Sequence, residues 1–113
     1  MKIGILISGS GSNMIKLIES CQNSKNAFIE IVISNNPDAK GIEYAKLKNI
    51  KTKVIDHKEF SEREDFDNKV HEVLLKNNVD FLCNAGFMRI HGEKFVEKWF
   101  NKHLNIHPSL LPS

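Results

Sequence analysis

Residues 2–8 read KIGILIS, and between Lys2 and Ser8 there is no polar side chain. A run this short and this continuously apolar predicts a β-strand buried on both faces, because a strand with one wet face alternates apolar and polar residues. Burial on both faces needs a covering layer on each side, which for a small domain means helices packed over a parallel sheet. The following segments supply those layers. Met14, Leu17, Ile18 and Cys21 fall at i, i+3, i+4 and i+7 and make one apolar helical stripe. FIEIVIS at 28–34 returns to strand character. Asn36-Pro37 predicts a cap and a first-turn proline for a short helix through about Lys48, and KTKVID at 51–56 a third strand. Ser61 and Glu64 stand at capping-box spacing, opening a helix over 61–77 with Phe66, Val70, Val73 and Leu74 on its apolar face. VDFLCNAG at 79–86 reads as a fourth strand, a short helix follows around Phe95 and Trp99, and HLNIH at 103–107 is a fifth. The expected fold is α/β, a Rossmann-like doubly wound parallel sheet whose ligands lie beyond the carboxyl ends of the strands.

The 113 residues fit one domain, residues 1–113. Sixteen basic and fourteen acidic side chains leave a net charge of +2, and the lysines are scattered, so charge points to no nucleic acid and no membrane surface as partner. The apolar opening passes too soon into Gly and Ser for a secretory signal, and no stretch has the length to span a bilayer. Cys21 and Cys83 form no C-x-x-C pair; this usage is that of a reducing cytoplasm, with both thiols as core fillers.

Three polar stretches fall at predicted strand ends. SGSGSN at 8–13 joins strand one to helix one, where Gly9 and Gly11 let the backbone turn tightly and turn its N–H groups toward an anion. It is no Walker loop, since no Gly-Lys-Ser/Thr follows. Nor is it the dinucleotide fingerprint: Met14 stands where the third Gly belongs, and strand two ends in Ser34-Asn35-Asn36 with no acidic residue for a ribose diol. A phosphate monoester fits better than NAD. In NAGFMRI at 84–90, Gly86 permits close backbone approach, Phe87, Met88 and Ile90 cover a core or wall a pocket, and Arg89 is a candidate anion clamp. In NIHPSLLPS at 105–113, Asn105 and His107 share a face if the chain is extended. An Asn amide can donate to a developing oxyanion, and an imidazolium can do so while exchanging a proton near neutral pH. Each stretch alone also fits a plain turn, a packed loop or a polar pair satisfied by backbone. His57, His71 and His103 lack metal-ligand spacing and read as surface residues, and the charged side of helix 61–77 reads as a solvated face.

Taken together, ISGSGSN, AGFMRI and NIHPSLLP resemble the three site loops of the phosphoribosylglycinamide formyltransferases, and the resemblance covers the whole chain. It implies transfer of a formyl group from 10-formyltetrahydrofolate, the cosubstrate, to the amine of glycinamide ribonucleotide in purine biosynthesis, in the cytoplasm and without a metal. Residue by residue, it implies that Gly11, Ser12, Asn13 and Gly86 hold the ribonucleotide. It places the folate against Arg63, Met88, Arg89, Ile90 and His91, although His91 stands where the family more usually has an apolar residue. Asn105 would polarise the formyl oxygen, and His107 would donate a proton and stabilise the tetrahedral oxyanion. A homodimer is compatible with the resemblance. Methionyl-tRNA formyltransferase and formyltetrahydrofolate deformylase share the N-x-H element, but the GSGSN loop and AGFMRI are expected to be absent from both. Family enzymes continue beyond this point and supply an Asp that raises the pKa of the His. The chain is therefore expected to be the N-terminal, ribonucleotide-binding part of a longer enzyme, with His107 mostly neutral at pH 7 and weakly active alone. The alternative expectation is a phosphate-ligand binding module without catalysis.

Overall fold

The computed structural model describes residues 1–89 and 91–106. The elements in chain order are β1 (Lys2–Ile7), α1 (Ser12–Gln22), β2 (Phe28–Ser34), α2 (Lys40–Leu47), β3 (Lys51–Val54), a 3-10 turn (His57–Glu59), α3 (Arg63–Lys76), β4 (Phe81–Ala85), α4 (Glu93–Lys98) and β5 (His103–Ile106). The strands form one sheet in the order β3-β2-β1-β4-β5, and every adjacent pair is parallel. The expected doubly wound sheet is therefore observed.

β1 lies at the centre of the sheet, and its side chains divide between two cores. Ile3, Ile5 and Ile7 point into a cluster with Met14 and Ile18 of α1, Ala39, and Ile42 and Ala45 of α2. Leu6 points the other way, into a cluster with Phe66, Val70 and Leu74 of α3 and Phe95 and Trp99. This is the period of two of a strand buried on both faces. Gly4, on the second face, allows α3 close: a Cβ there would lie 2.8 Å from Leu74 Cδ2. Cys83 is buried in the first core and Cys21 packs against it. Burial pushes the Cys83 thiol up to about 11, so it stays protonated as a core residue.

Two helix starts differ from the sequence expectation. Asn36-Pro37 does not open α2. Asn36 Oδ1 accepts from the Asp38 N–H at 3.0 Å, and Ser34 Oγ accepts from the Asn36 N–H at 3.0 Å, so this segment is a turn and the helix begins at Lys40. The Ser61–Glu64 capping box does not form either. α3 starts one residue too late for it, with Glu62 at the cap position, and Glu64 pairs with Lys94 at 3.0 Å instead.

Gly11 is the cap of α1 in the left-handed region, φ 76°, and packs against α2. A Cβ there would lie 2.9 Å from Met14 Cε and 3.1 Å from the Gly41 Cα. Substitution Gly11→Ala is therefore expected to cost about 1–3 kcal/mol of stability through backbone strain and crowding. A lowered urea midpoint measures it; an unchanged midpoint would mean that the turn accommodates a side chain.

Candidate active site

The chain leaves β1 toward β2 and β3 on one side and returns through α3 to β4 on the other. β1 and β4 thus flank the point where the winding reverses, and a crevice at their carboxyl ends follows from that topology. The first loop fills one wall. With no side-chain cap, α1 begins directly after Gly11, so the N–H groups of Ser12, Asn13 and Met14 have no carbonyl ahead of them in the helix. The loop is held from three directions: Gly9 O accepts from the Gly41 N–H at 3.1 Å, Ser8 O from Asn36 Nδ2 at 3.3 Å, and Ser8 Oγ from the Met88 N–H at 2.8 Å. The last of these joins the first loop to the one after β4, where Gly86 takes φ 73°. An anion meeting the start of α1 would therefore meet a preorganised turn.

Beside it, Asn84, Phe87, Met88, Arg89, His91, Val96, His103 and Asn105 line a cleft of about 470 Å³. In the parallel ladder Asn84 pairs with Asn105, which puts both side chains on one face of the sheet. Phe87, Met88 and Val96 make the cleft partly apolar. Arg89 lies over the Phe66 ring, 5.5 Å from its centroid, and its Nε is buried without a partner among the described residues. A flat heterocycle with polar edges suits such a lining.

His91 is the most constrained side chain of the cleft. Its Nδ1 lies 3.1 Å from Asp67 Oδ1, and its Nε2 lies 3.0 Å from Asn84 Nδ2. Asp67 Oδ2 also accepts from the Gly92 N–H at 2.8 Å, so one buried carboxylate of α3 fixes both the ring and the start of α4. The ring stacks on Phe95 at 4.1 Å and on Phe87 at 5.2 Å between centroids. Burial pushes the His91 pKa below its ordinary value, and the Asp67 hydrogen bond opposes that shift. In the neutral form the carboxylate takes the Nδ1 proton as acceptor, and Nε2 accepts from the Asn84 amide.

Residues 1–113 match the family described as formyl transferase. The chain belongs to the formyl transferase family. It is 47% identical over 113 residues to the human trifunctional purine biosynthetic protein adenosine-3, covering 99% of this chain and 11% of that protein. It is 40% identical to the Escherichia coli phosphoribosylglycinamide formyltransferase, covering 99% of this chain and 53% of that one. The solved phosphoribosylglycinamide formyltransferase of Coxiella burnetii superposes on the whole chain with a TM-score of 0.91 at 38% identity, over 54% of its own length. The chain thus spans about half the length of the single-function relatives and about a tenth of the trifunctional ones.

Measured against the residues that the formyl transferase resemblance singles out, the structure gathers some and separates others. Gly11, Ser12 and Asn13 form the first loop, and Gly86 follows β4, the strand next to β1. Met88, Arg89, His91 and Asn105 share the cleft just described. Arg63, exposed at the start of α3, lines a different cleft of about 450 Å³ together with Asp67, Gly92 and Lys94. Ile90, His107 and the stretch from Pro108 to Pro112 lie outside the described residues.

Sequence reading missed Asp67, Asn84 and His103. Asp67 is buried although it belongs to the charged side of α3, and the other histidines are not plain surface residues. His71 Nδ1 accepts from Trp99 Nε1 at 3.1 Å, His57 Nδ1 lies 3.0 Å from Asn35 O, and His103 Nε2 is enclosed in the cleft without a partner among the described residues. Only surroundings distant in sequence distinguish them, so no local signal was there to find.

His103 is held down to about 4 by burial and then by nearby His91. The unfolded chain takes this proton near 6.5 and the fold resists it until about 4, so the unfolded state binds more protons between the two values. Stability is therefore expected to fall as pH drops from about 6.5, and His103→Phe should flatten the decline between pH 6.5 and 5. Denaturant midpoints across that range check it; equal slopes in both proteins would contradict the assignment.

Proposed function

We propose that the protein carrying this chain transfers a formyl group from 10-formyltetrahydrofolate to the amine of glycinamide ribonucleotide. The observation that carries the reading is that the first loop, the loop after β4 and Asn105 of β5 stand at the carboxyl ends of β1, β4 and β5. These strands are neighbours in the sheet, and the bond from the Met88 N–H to Ser8 Oγ ties the turn before α1 to the loop that lines the Asn105 cleft. The names of the relatives support formyl transfer to phosphoribosylglycinamide.

In this reading the phosphate of the ribonucleotide lies on the N–H groups that follow Gly11, where the helix terminus favours negative charge. Ser12 and Asn13 add side-chain donors. Gly86, with positive φ, keeps the backbone open beside the sugar. The folate lies along Phe87, Met88 and Val96, with Arg89 as a cationic contact and His91 in the wall behind it; Arg63 lines the separate cleft at the start of α3 and would meet only a part of the folate that extends there. The amine nitrogen attacks the formyl carbon, its bond to the folate nitrogen breaks, and the proton lost by the amine is matched by one gained at that nitrogen. Charge grows on the formyl oxygen meanwhile. Asn105 Nδ2–H donates to that oxygen, and His107, placed two residues on by the N-x-H element, donates a proton and adds a second stabilising contact.

Two measurements test this. In the full-length protein Asn105→Ala is expected to lower kcat by about 10²–10³-fold, as loss of an oxyanion donor does. Near-normal turnover would remove Asn105 from the mechanism. Glycinamide ribonucleotide is also expected to slow hydrogen exchange at the amides of residues 12–14. Protection there by a dinucleotide and not by the ribonucleotide would overturn the phosphate assignment.

A further inference from the structure

Asp67, His91 and Asn84 already make a buried hydrogen-bonded run from α3 to β4. It stops at Asn84 Oδ1, which is buried without a partner among the described residues. On the neighbouring strand His103 Nε2 is buried, also without a partner among the described residues. Asn84 pairs with Asn105, and His103 with Leu82, in the parallel β4–β5 ladder. The two unpartnered groups therefore lie on one face, one diagonal step apart, about 8 Å between Cα atoms for ordinary strand spacing and rise. The two are not bonded to each other as they stand, so the bond requires both side chains to rotate toward each other.

The polarity of the run allows one completion. The Asp67 carboxylate can only accept, so His91 carries its proton on Nδ1. Neutral His91 then accepts at Nε2, which turns the Asn84 amide so that Nδ2 faces the ring and Oδ1 faces away. Oδ1 needs a donor, and His103 supplies one when its proton is on Nε2. We infer that Asp67, His91, Asn84 and His103 form a single hydrogen-bonded chain, completed by a bond from His103 Nε2–H to Asn84 Oδ1, that clamps β5 to β4 and α3. Among the described residues β5 is an edge strand of four residues with one ladder neighbour, and it carries Asn105. The clamp restrains it from the side of the cleft, so the four are positioning residues for the Asn105 amide. Their effect on transfer rests on the formyl-transfer reading; the chain of bonds does not.

The test uses the full-length protein labelled with ¹⁵N. Long-range ¹H–¹⁵N correlation of the imidazoles at neutral pH is expected to show His91 as the Nδ1–H tautomer and His103 as the Nε2–H tautomer. In Asn84→Leu, His103 should become a mixture while His57 keeps its wild-type pattern. His103 found as Nδ1–H in the wild type, or unmoved by Asn84→Leu, would overturn the chain. For positioning, His103→Leu is expected to lower kcat about tenfold or more with KM within about twofold. His103→Gln, whose amide can donate to Asn84, should restore most of the loss. Equal kcat in the two variants would refute the positioning role. Absence of formyl transfer from the wild type would refute the functional reading instead, and the tautomers would still decide the chain.

Discussion

Burial of β1 on both faces is the constraint on which the rest depends. A strand whose side chains all leave water must have a strand on each side to satisfy its backbone and a helix layer over each face to take its side chains. Ile3, Ile5 and Ile7 draw α1 and α2 onto one face, and Leu6 draws α3 onto the other. Because the connections that place helices on opposite faces must run in opposite directions along the sheet, the winding reverses beside β1. The crevice at the carboxyl ends of β1 and β4 follows from that reversal. Thus the same apolar run that drives folding also fixes where polar groups can gather without being buried in the sheet.

The loops at this crevice are built to different standards of rigidity. The first is held by backbone geometry and by bonds from Asn36, Gly41 and Met88. Its Ser8 hydroxyl is engaged by Met88, while the N–H groups that follow Gly11 have no helical carbonyl ahead of them, which suits a turn that meets an anion. The loop after β4 is held by the core instead: Phe87 packs on Phe66 and His91, while Met88 stays 82% exposed beside it. An exposed methionine next to a fixed aromatic gives a cleft that can adapt on one side only. β5 contributes least to its own placement, since among the described residues it is short and has one neighbour, and this is where the Asp67–His91–Asn84 run gains its importance.

Much of the architecture was legible along the chain. The strand–helix alternation, the five strands and the apolar faces of α1 and α3 all lie in local periodicity, and the structure reproduces them to within a few residues. Asn36 does bond locally, to the Asp38 N–H, but in the turn that leaves β2 and not at a helix start. Glu64 carries a capping signal, yet its side chain pairs with Lys94, far along the chain. The histidines were misjudged for the same reason. Whether an imidazole is solvated or enclosed depends on which residues fold over it, and Trp99, Asn84 and Phe95 are not local to His71 or His103.

By itself the sequence determined the layer architecture, the position of the polar loops at strand ends, and the family, because periodicity and short motifs are properties of neighbouring residues. Only the tertiary structure decided that Asp67 is buried, that it reaches across to His91, and that Asn84 stands level with Asn105 in the cleft. Those facts depend on helix crossing and strand register, which bring together side chains 7 to 24 positions apart, and electrostatics in a buried site depends on distance in space alone.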